Sequence, residues 1–219
     1  SPDVGSGAQV FPKSGDFGVR IANHEEIHPR KESAWAEAPL IIFSLLAQMA
    51  VGGFWSMLWM LPPLWTLASG DQVFLRALPL LVIGASLGIG MFSSFAHLGT
   101  KKNAWRVLNH LRKSWLSREI LSASLFGFGL LVVTAETMIF HYTTPVLSWA
   151  VAALGFYLVH SMANVYRLPA KPMWDTWRTN ITFMVSALLL GQSGMAVVLI
   201  FESQMTGVNL PNWNIIGSI

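Results

Sequence analysis

Two titratable side chains flank one polar loop and are the first candidates for chemistry. His97 ends one long apolar stretch of the sequence, and Glu119 stands at the start of the next. An imidazole takes up a proton near neutral pH, and a carboxylate can act as a second general base. The pair therefore suits a reaction that releases two protons, such as the oxidation of a quinol, a two-electron carrier that dissolves in lipid.

Each member of this pair also has an ordinary structural explanation. A histidine is a suitable polar residue where a helix leaves the membrane. An acidic residue in the first turn of a helix is favoured by the helix dipole, and Ser117 can cap that turn. Their functional interpretation gains weight because His97 and Glu119 fall on the same membrane face.

Other polar residues suggest how such a site is completed or replaced. Arg112, Trp115 and Arg118 either shape a quinol pocket or dock a partner protein. His160 lies on the same face as His97, and two histidines on neighbouring helices can ligate a b-type haem, which is the alternative to quinol chemistry.

Two ionisable residues fall toward the opposite membrane face. Glu136 and His141 lie near the end of the third apolar stretch. Carboxylates inside a membrane often mark a functional route, but side chains near a helix end also reach water by snorkelling. The sequence favours snorkelling and leaves a proton route open.

The elements that must position these residues are membrane helices. The chain has 219 residues, of which 53% are hydrophobic and 11% are charged, whereas soluble domains carry about 25% charged residues. About 20 apolar residues span a bilayer. The sequence therefore predicts an all-α fold, a polytopic bundle with five spans. The predicted spans are residues 39–61, 77–97, 118–140, 145–166 and 179–201.

The remaining sequence divides into terminal segments and loops. Residues 1–37 form a predicted polar arm or linker, residues 38–205 the transmembrane domain, and residues 206–219 a polar tail or the start of a further segment. The motif Gly84-x-x-x-Gly88 predicts close helix packing. The loop 98–119 also predicts an amphipathic helix in the membrane interface, because apolar residues recur there at three- and four-residue spacing. These residues are Trp105, Leu108, Leu111, Trp115 and Leu116.

Basic residues collect on the membrane face that carries His97 and Glu119. The loop 98–119 contains six lysines and arginines, and the loop 166–178 adds three more. The positive-inside rule places such a face in the cytoplasm, and a basic loop can dock an acidic protein or anionic lipid. Because this loop is held between two spans, we do not expect nucleic acid as a partner.

The sequence contains no cysteine. This excludes thiolate-ligated iron–sulfur clusters and cysteine-based zinc sites within the chain. If the protein takes part in electron transfer, a partner subunit must hold the metal centre.

Three blocks of sequence resemble the membrane-anchor subunit of anaerobic dimethyl sulfoxide reductases. The first runs from Ala38 to Phe54. The second contains Ser94-Phe-Ala-His97-Leu-Gly-Thr100 and continues to Leu116-Ser-Arg-Glu119-Ile, and the third runs from Asn164 to Gly191. The second block is the most specific, because it lies in a loop where hydrophobicity imposes no pattern.

The resemblance implies a function for the chain. Family members anchor a molybdopterin catalytic subunit and a four-cluster iron–sulfur subunit to the bacterial inner membrane, oxidise menaquinol in anaerobic respiration and carry no haem. The His of the family's His-Leu-Gly-Ser/Thr motif falls on His97, and its quinol-site Glu falls on Glu119. The alternatives are a passive membrane anchor and a haem-b electron carrier.

Two expectations for the chain differ from what is common in the family. Its members commonly have eight spans, against the five predicted here. Many place their catalytic subunits outside the cytoplasm on the face that carries the quinol motif, whereas the basic charge of that face predicts the cytoplasm.

Overall fold

The computed structural model describes residues 34–60, 70–97, 111–167 and 175–206. The chain divides into two units, Ser1–Ala36 and Glu37–Ile219. Of the first unit only residues 34–36 are described, and they are helical. Most of the predicted N-terminal arm, the loop residues 98–110 and 168–174, and the predicted tail lie outside the described residues.

Five helices make up the described secondary structure, which confirms the predicted all-α bundle. Each helix contains a stretch that is long and apolar enough to cross a membrane. A chain in lipid must satisfy its backbone hydrogen bonds internally, and a helix does so within a single segment. The helices are α1 (Ala34–Met60), α2 (Gly70–His97), α3 (Trp115–Phe140), α4 (Pro145–Tyr166) and α5 (Trp177–Thr206).

The helices extend beyond the predicted spans at several ends. Helix α1 begins at Ala34, ahead of the predicted start at Pro39, so that Pro39 lies in its second turn. Helix α2 begins at Gly70, ahead of its apolar stretch, which runs from Ala77 to Phe95. Hydropathy marks the part of a helix that crosses lipid, whereas helical hydrogen bonding continues into polar residues.

Helix α1 is the central helix of the bundle. Its Phe54 ring packs edge-on against Phe126 of α3, with the ring centroids 6.1 Å apart. The indole N–H of Trp55 donates to the carbonyl oxygen of Ala152 in α4, at 3.1 Å. On α5, the Ser186 hydroxyl donates to the side-chain oxygen of Gln48. A core of buried apolar residues surrounds these contacts.

Helices α1 and α5 cross at a pair of glycines. A Cβ atom on Gly52 would overlap the carbonyl oxygen of Ala187, and one on Gly191 would overlap the backbone at Gly52 and Gly53. Only glycine allows the two backbones to approach this closely, as small residues commonly do between membrane helices.

The close packing predicted for Gly84 and Gly88 is wrong for the described structure. A Cβ atom on either glycine would meet no heavy atom within 4 Å. The close approach lies instead at Gly52 and Gly191, which are far apart in sequence. A small-xxx-small pattern shows that a helix can approach another closely, but does not show that it does.

Helices α3 and α4 form an antiparallel hairpin. At their connection the Glu136 carboxylate accepts hydrogen bonds from the backbone N–H and the hydroxyl of Thr144, at 3.0 and 3.2 Å. Further along, Val151 packs directly on Gly129. Glu136 therefore caps the start of α4, a role that was not expected from the sequence.

The start of α3 also differs from the expectation. Ser114 is the N-cap residue, and its hydroxyl oxygen accepts a hydrogen bond from the Ser117 N–H at 3.3 Å. Ser117 itself is buried in the first turn. Residues 111–113 form a turn, so Trp115 and Leu116 belong to α3 and not to the predicted interfacial helix. The other residues of that predicted helix before Leu111 lie outside the described part of the chain.

The glycine crossing predicts that alanine destabilises the protein at position 191 but not at position 88. We expect Gly191→Ala to lower the thermal unfolding midpoint of the purified protein in detergent, because overpacking typically costs about 1–3 kcal/mol. Gly88→Ala is the matched control and should leave the midpoint unchanged or slightly higher, since alanine favours a helix more than glycine does. Equal midpoints for the two variants would contradict the crossing.

Candidate functional site

The end of α2 and the start of α3 lie at the same level in the bundle. The Leu87 side chain of α2 packs against Gly127 of α3. Ten residues onward from Leu87 is His97, and ten residues back from Gly127 is Ser117. Because antiparallel helices rise equally per residue, the His97 backbone lies level with the first turn of α3. The side chain of His97 is outside the described part of the chain.

Glu119 points into the core of the bundle. Its side chain is only 5% exposed. It lies on the same stripe of α3 as Phe126 and Leu130, which are also buried. No hydrogen bond to its carboxylate comes from a residue that the structure describes. An acidic group in this position is costly inside a membrane, and such residues commonly mark functional sites.

Trp115 and His160 connect the start of α3 to the end of α4. Their rings meet edge to face, with centroids 5.8 Å apart. The Tyr157 ring also lies near the imidazole, with a centroid separation of 6.5 Å. Trp115 and Tyr157 are 36% and 44% exposed, so this cluster lies on the outer surface of the bundle, whereas Glu119 lies inside it.

Arg118 holds the turn before α3 in place. Its Nε donates to the carbonyl oxygen of Leu111 at 2.8 Å, and its terminal nitrogen donates to that of Arg112 at 3.0 Å. The guanidinium carbon also lies 4.3 Å from the centroid of the Trp115 ring, which is a cation–π contact. Arg118 thus fixes the orientation of Trp115.

The predicted site residues fall into two groups. Trp115 and Arg118 contact each other on the outer surface, and the Arg112 carbonyl belongs to the same group while its side chain is exposed. Glu119 lies in the core, one turn further along α3. The structure therefore brings the end of α2, the start of α3 and the end of α4 to one end of the bundle. It divides the predicted site residues between the core and the outer surface.

A hydrogen-bonded chain at the end of α4 was not predicted as a unit. Asn164 contacts His160 on one side and Arg167 on the other. Arg167 forms a salt bridge with Asp175, with a nitrogen–oxygen distance of 3.0 Å. The spacing of His160, Asn164 and Arg167 by four and three residues places them on one helix face, and this signal could have identified the group.

Two other features of the described residues carry no titratable site. No group of three or more His, Cys, Asp or Glu side chains within the described ranges could hold a metal ion. An open apolar groove of about 360 Å³ lies between α1 and α4 and is lined by Trp55, Trp59, Trp149 and Phe156. These residues belong to the opposite end of the bundle from Glu119, and the groove holds no acid or base.

The fold and this site define a multi-pass membrane protein with a buried acidic group at one end of a helical bundle. The family model described as the DMSO reductase anchor subunit (DmsC) matches residues 31–218. The chain belongs to this family.

Three curated relatives support the assignment. The chain is 31% identical over 174 residues to the anaerobic dimethyl sulfoxide reductase subunit YnfH of Escherichia coli (strain K12), covering 76% of this chain and 59% of the relative. It is 29% identical over 177 residues to the C subunit of the Haemophilus influenzae anaerobic dimethyl sulfoxide reductase, covering 77% and 60%. It is also 29% identical over 168 residues to the C subunit of the Escherichia coli (strain K12) reductase, covering 73% and 56%.

The chain spans about three fifths of the length of these relatives. No solved structure matches it significantly. The comparisons therefore identify the family of the chain, and the roles of single residues rest on the geometry above.

The contacts of Arg118 predict a structural role for this side chain. Arg118→Ala removes two hydrogen bonds to backbone carbonyls and the contact with Trp115, so we expect the thermal unfolding midpoint to fall by about 2–4 °C. Arg178→Ala is the matched control, because Arg178 is exposed near the start of α5. A midpoint for Arg118→Ala that equals the control would show that the turn does not depend on this guanidinium.

Proposed function

We propose that the chain is the membrane-anchor subunit of an oxidoreductase complex and oxidises a quinol, with menaquinol as the expected form. Electrons pass to a four-cluster iron–sulfur subunit and from there to a molybdopterin catalytic subunit. The family assignment and the names of the relatives support the anchor role. Because those relatives are bacterial reductase subunits, we place the complex in the bacterial inner membrane.

The proposed reaction balances two protons against two electrons. Quinol loses the hydrogens of its two hydroxyl groups and becomes quinone. The His97 imidazole takes one proton and the Glu119 carboxylate takes the other, each as a general base. The two electrons leave one at a time for the nearest iron–sulfur cluster of the partner subunit, which is the oxidant.

The burial of Glu119 carries the proposal. Helix α3 contains two glutamates, and the other one, Glu136, has a structural task as the cap of α4. Glu119 has no comparable partner among the described residues, and yet its side chain is buried in the core. A free carboxylate there is costly to keep, and a role in proton transfer accounts for it.

Arg112 and Arg118 take a supporting role in the proposal. The exposed Arg112 side chain is available to dock an acidic surface of the iron–sulfur subunit, because charge complementarity guides such contacts. Arg118 orients Trp115 and so shapes the outer side of the site. The partner therefore docks on the membrane face to which this end of the bundle is turned.

The two alternatives differ from the proposal in what they require. A passive anchor needs the same helices but neither His97 nor Glu119. A haem carrier needs a free imidazole nitrogen on each ligand, and Nε2 of His160 lies 3.0 Å from the Asn164 amide nitrogen, in a hydrogen bond. This contact favours a hydrogen-bonding role for His160 over axial ligation of iron.

The proposal predicts that quinol oxidation depends on the two bases. In the whole complex, reduction of the iron–sulfur clusters by menadiol, a soluble naphthoquinol, is followed by electron paramagnetic resonance. Loss of a general base typically slows a reaction by about 10²–10⁴-fold, and we expect losses in this range for His97→Gln and Glu119→Gln. Turnover with a reduced viologen dye, which donates to the partner directly, should remain.

Residues of the same types at the opposite end of the bundle provide matched controls. His141→Asn and Glu136→Gln should keep the menadiol rate of the wild type. Asparagine tolerates the left-handed backbone at position 141, where φ is 57°, and glutamine keeps an acceptor for Thr144. A wild-type menadiol rate in both His97→Gln and Glu119→Gln would instead establish the passive anchor.

A further inference from the structure

The end of α4 presents polar side chains to a part of the bundle that lies within the membrane span. His160 is half-buried, and Ser161 and Asn164 are 0% and 8% exposed. Polar groups are expensive at such positions and commonly serve a function. The Asn164 side chain is hydrogen-bonded to His160 and Arg167, so these contacts explain its presence. They leave the roles of His160 and Ser161 to be explained.

The contacts of Asn164 fix the protonation form of His160. Arg167 can only donate, so the Asn164 atom 3.3 Å from its guanidinium must be the amide oxygen. The amide nitrogen then faces His160, where it donates to the backbone carbonyl at 2.8 Å and to Nε2 of the ring at 3.0 Å. Because Nε2 accepts a hydrogen bond, it carries no proton, and the proton of the neutral ring is on Nδ1.

The ring of His160 is held on the outer surface of the bundle by aromatic neighbours. Trp115 and Tyr157 lie beside it and are themselves partly exposed. In a bundle that crosses a membrane, this surface meets lipid. A planar ring with an oxygen substituent, arriving through the lipid, would find aromatic faces and one N–H donor of fixed position here.

Ser161 follows His160 on α4 and lies level with Glu119 of α3. The Phe126 ring of α3 packs against Gly155 of α4. Six residues onward from Gly155 is Ser161, and six residues back from Phe126 is Ile120, the neighbour of Glu119. The buried Ser161 hydroxyl has no hydrogen-bond partner among the described residues. The Ser161 hydroxyl is thus a second buried polar group at the level of Glu119.

We propose that His160 is a quinol-binding residue, whose Nδ1–H donates a hydrogen bond to one quinol oxygen. The quinol binds on the lipid-facing side of the contact between α3 and α4. Asn164 is the positioning residue that fixes this form of the ring. The inference rests on the proposed quinol oxidation, and it adds the side from which the quinol reaches Glu119. His160 holds the substrate and takes no proton from it.

Three substitutions at His160 test the assignment. An asparagine amide nitrogen lies near the position of Nδ1, whereas a glutamine amide nitrogen lies near that of Nε2. The complex is reconstituted in phosphatidylcholine vesicles, and the rate of cluster reduction is measured against the menadiol concentration. For His160→Leu and His160→Gln we expect the half-saturating concentration to rise about tenfold, with a limiting rate within about twofold of the wild type.

The conservative variant separates binding from a structural effect. His160→Asn keeps a donor near Nδ1, and its half-saturating concentration should stay within about threefold of the wild type. His141→Asn is the control at the opposite end and should behave as the wild type. Dye-linked turnover that sediments with the vesicles for every variant confirms that the partner subunits are still bound to the anchor.

Several results would overturn the inference. An unchanged half-saturating concentration in His160→Leu shows that His160 does not bind quinol. A loss confined to the limiting rate makes it a proton acceptor instead, and rescue by glutamine but not asparagine places the donor on Nε2. If the effect appears only when phosphatidylglycerol is added to the phosphatidylcholine vesicles, His160 binds an anionic lipid headgroup instead.

The same measurements separate this inference from the function on which it rests. Glu119→Gln is measured in parallel. If Glu119→Gln is inactive with menadiol while His160→Leu equals the wild type, only the role of His160 fails. If Glu119→Gln and His97→Gln both keep the wild-type rate, the proposed quinol oxidation itself fails.

Discussion

The register between α3 and α4 is the constraint on which both parts of the site depend. At the connection, Glu136 binds Thr144 and the hydroxyls of Thr137 and Thr143 lie 3.0 Å apart. The contact of Gly129 with Val151 carries the same register into the middle of the hairpin. Because both helices are rigid, fixing one end fixes the other, where Trp115 meets His160. A shift of one residue in this pairing would rotate Glu119 away from the core.

Helix α1 supports this hairpin from inside the bundle. Its contacts with Phe126 and Ala152 hold α3 and α4 from one side, and the glycine crossing at Gly191 draws α5 against the other. Phe126 lies on the same stripe of α3 as Glu119, so the packing of this stripe against α1 is consistent with the burial of Glu119. The same packing accounts for the division of polar groups between an inner acid and an outer aromatic cluster.

Much of the fold follows from the sequence, because membrane insertion imposes one strong rule. Five apolar stretches predicted five helices, and the limits of the lipid-crossing parts were close to those of the structure. The side-to-side packing was less predictable. Gly84 and Gly88 satisfy a packing motif without a close neighbour, whereas Gly52 and Gly191 meet through contacts between distant helices.

The candidate site shows the same limit of sequence reasoning. Glu119 is identifiable because it begins an apolar stretch beside a basic loop, but its burial depends on packing between helices, which the local sequence does not show. Ser114 and Ser117 are both suitable caps by composition, and only the backbone geometry selects Ser114. The role of Asn164 required the direction of its amide, which is set by Arg167 and not by any local pattern.

The connection of α3 to α4 spans only residues 141–144, with His141 in the left-handed conformation that ends α3. Two helices joined so tightly can enter the bilayer together as a hairpin during biogenesis. The carboxylate of Glu136 then has hydrogen-bond donors within its own hairpin while the hairpin crosses the membrane. The inner acid and the outer imidazole belong to this same pair. Glu119 and His160 are therefore encoded in one continuous stretch of the polypeptide, whereas His97 is contributed by the preceding helix α2.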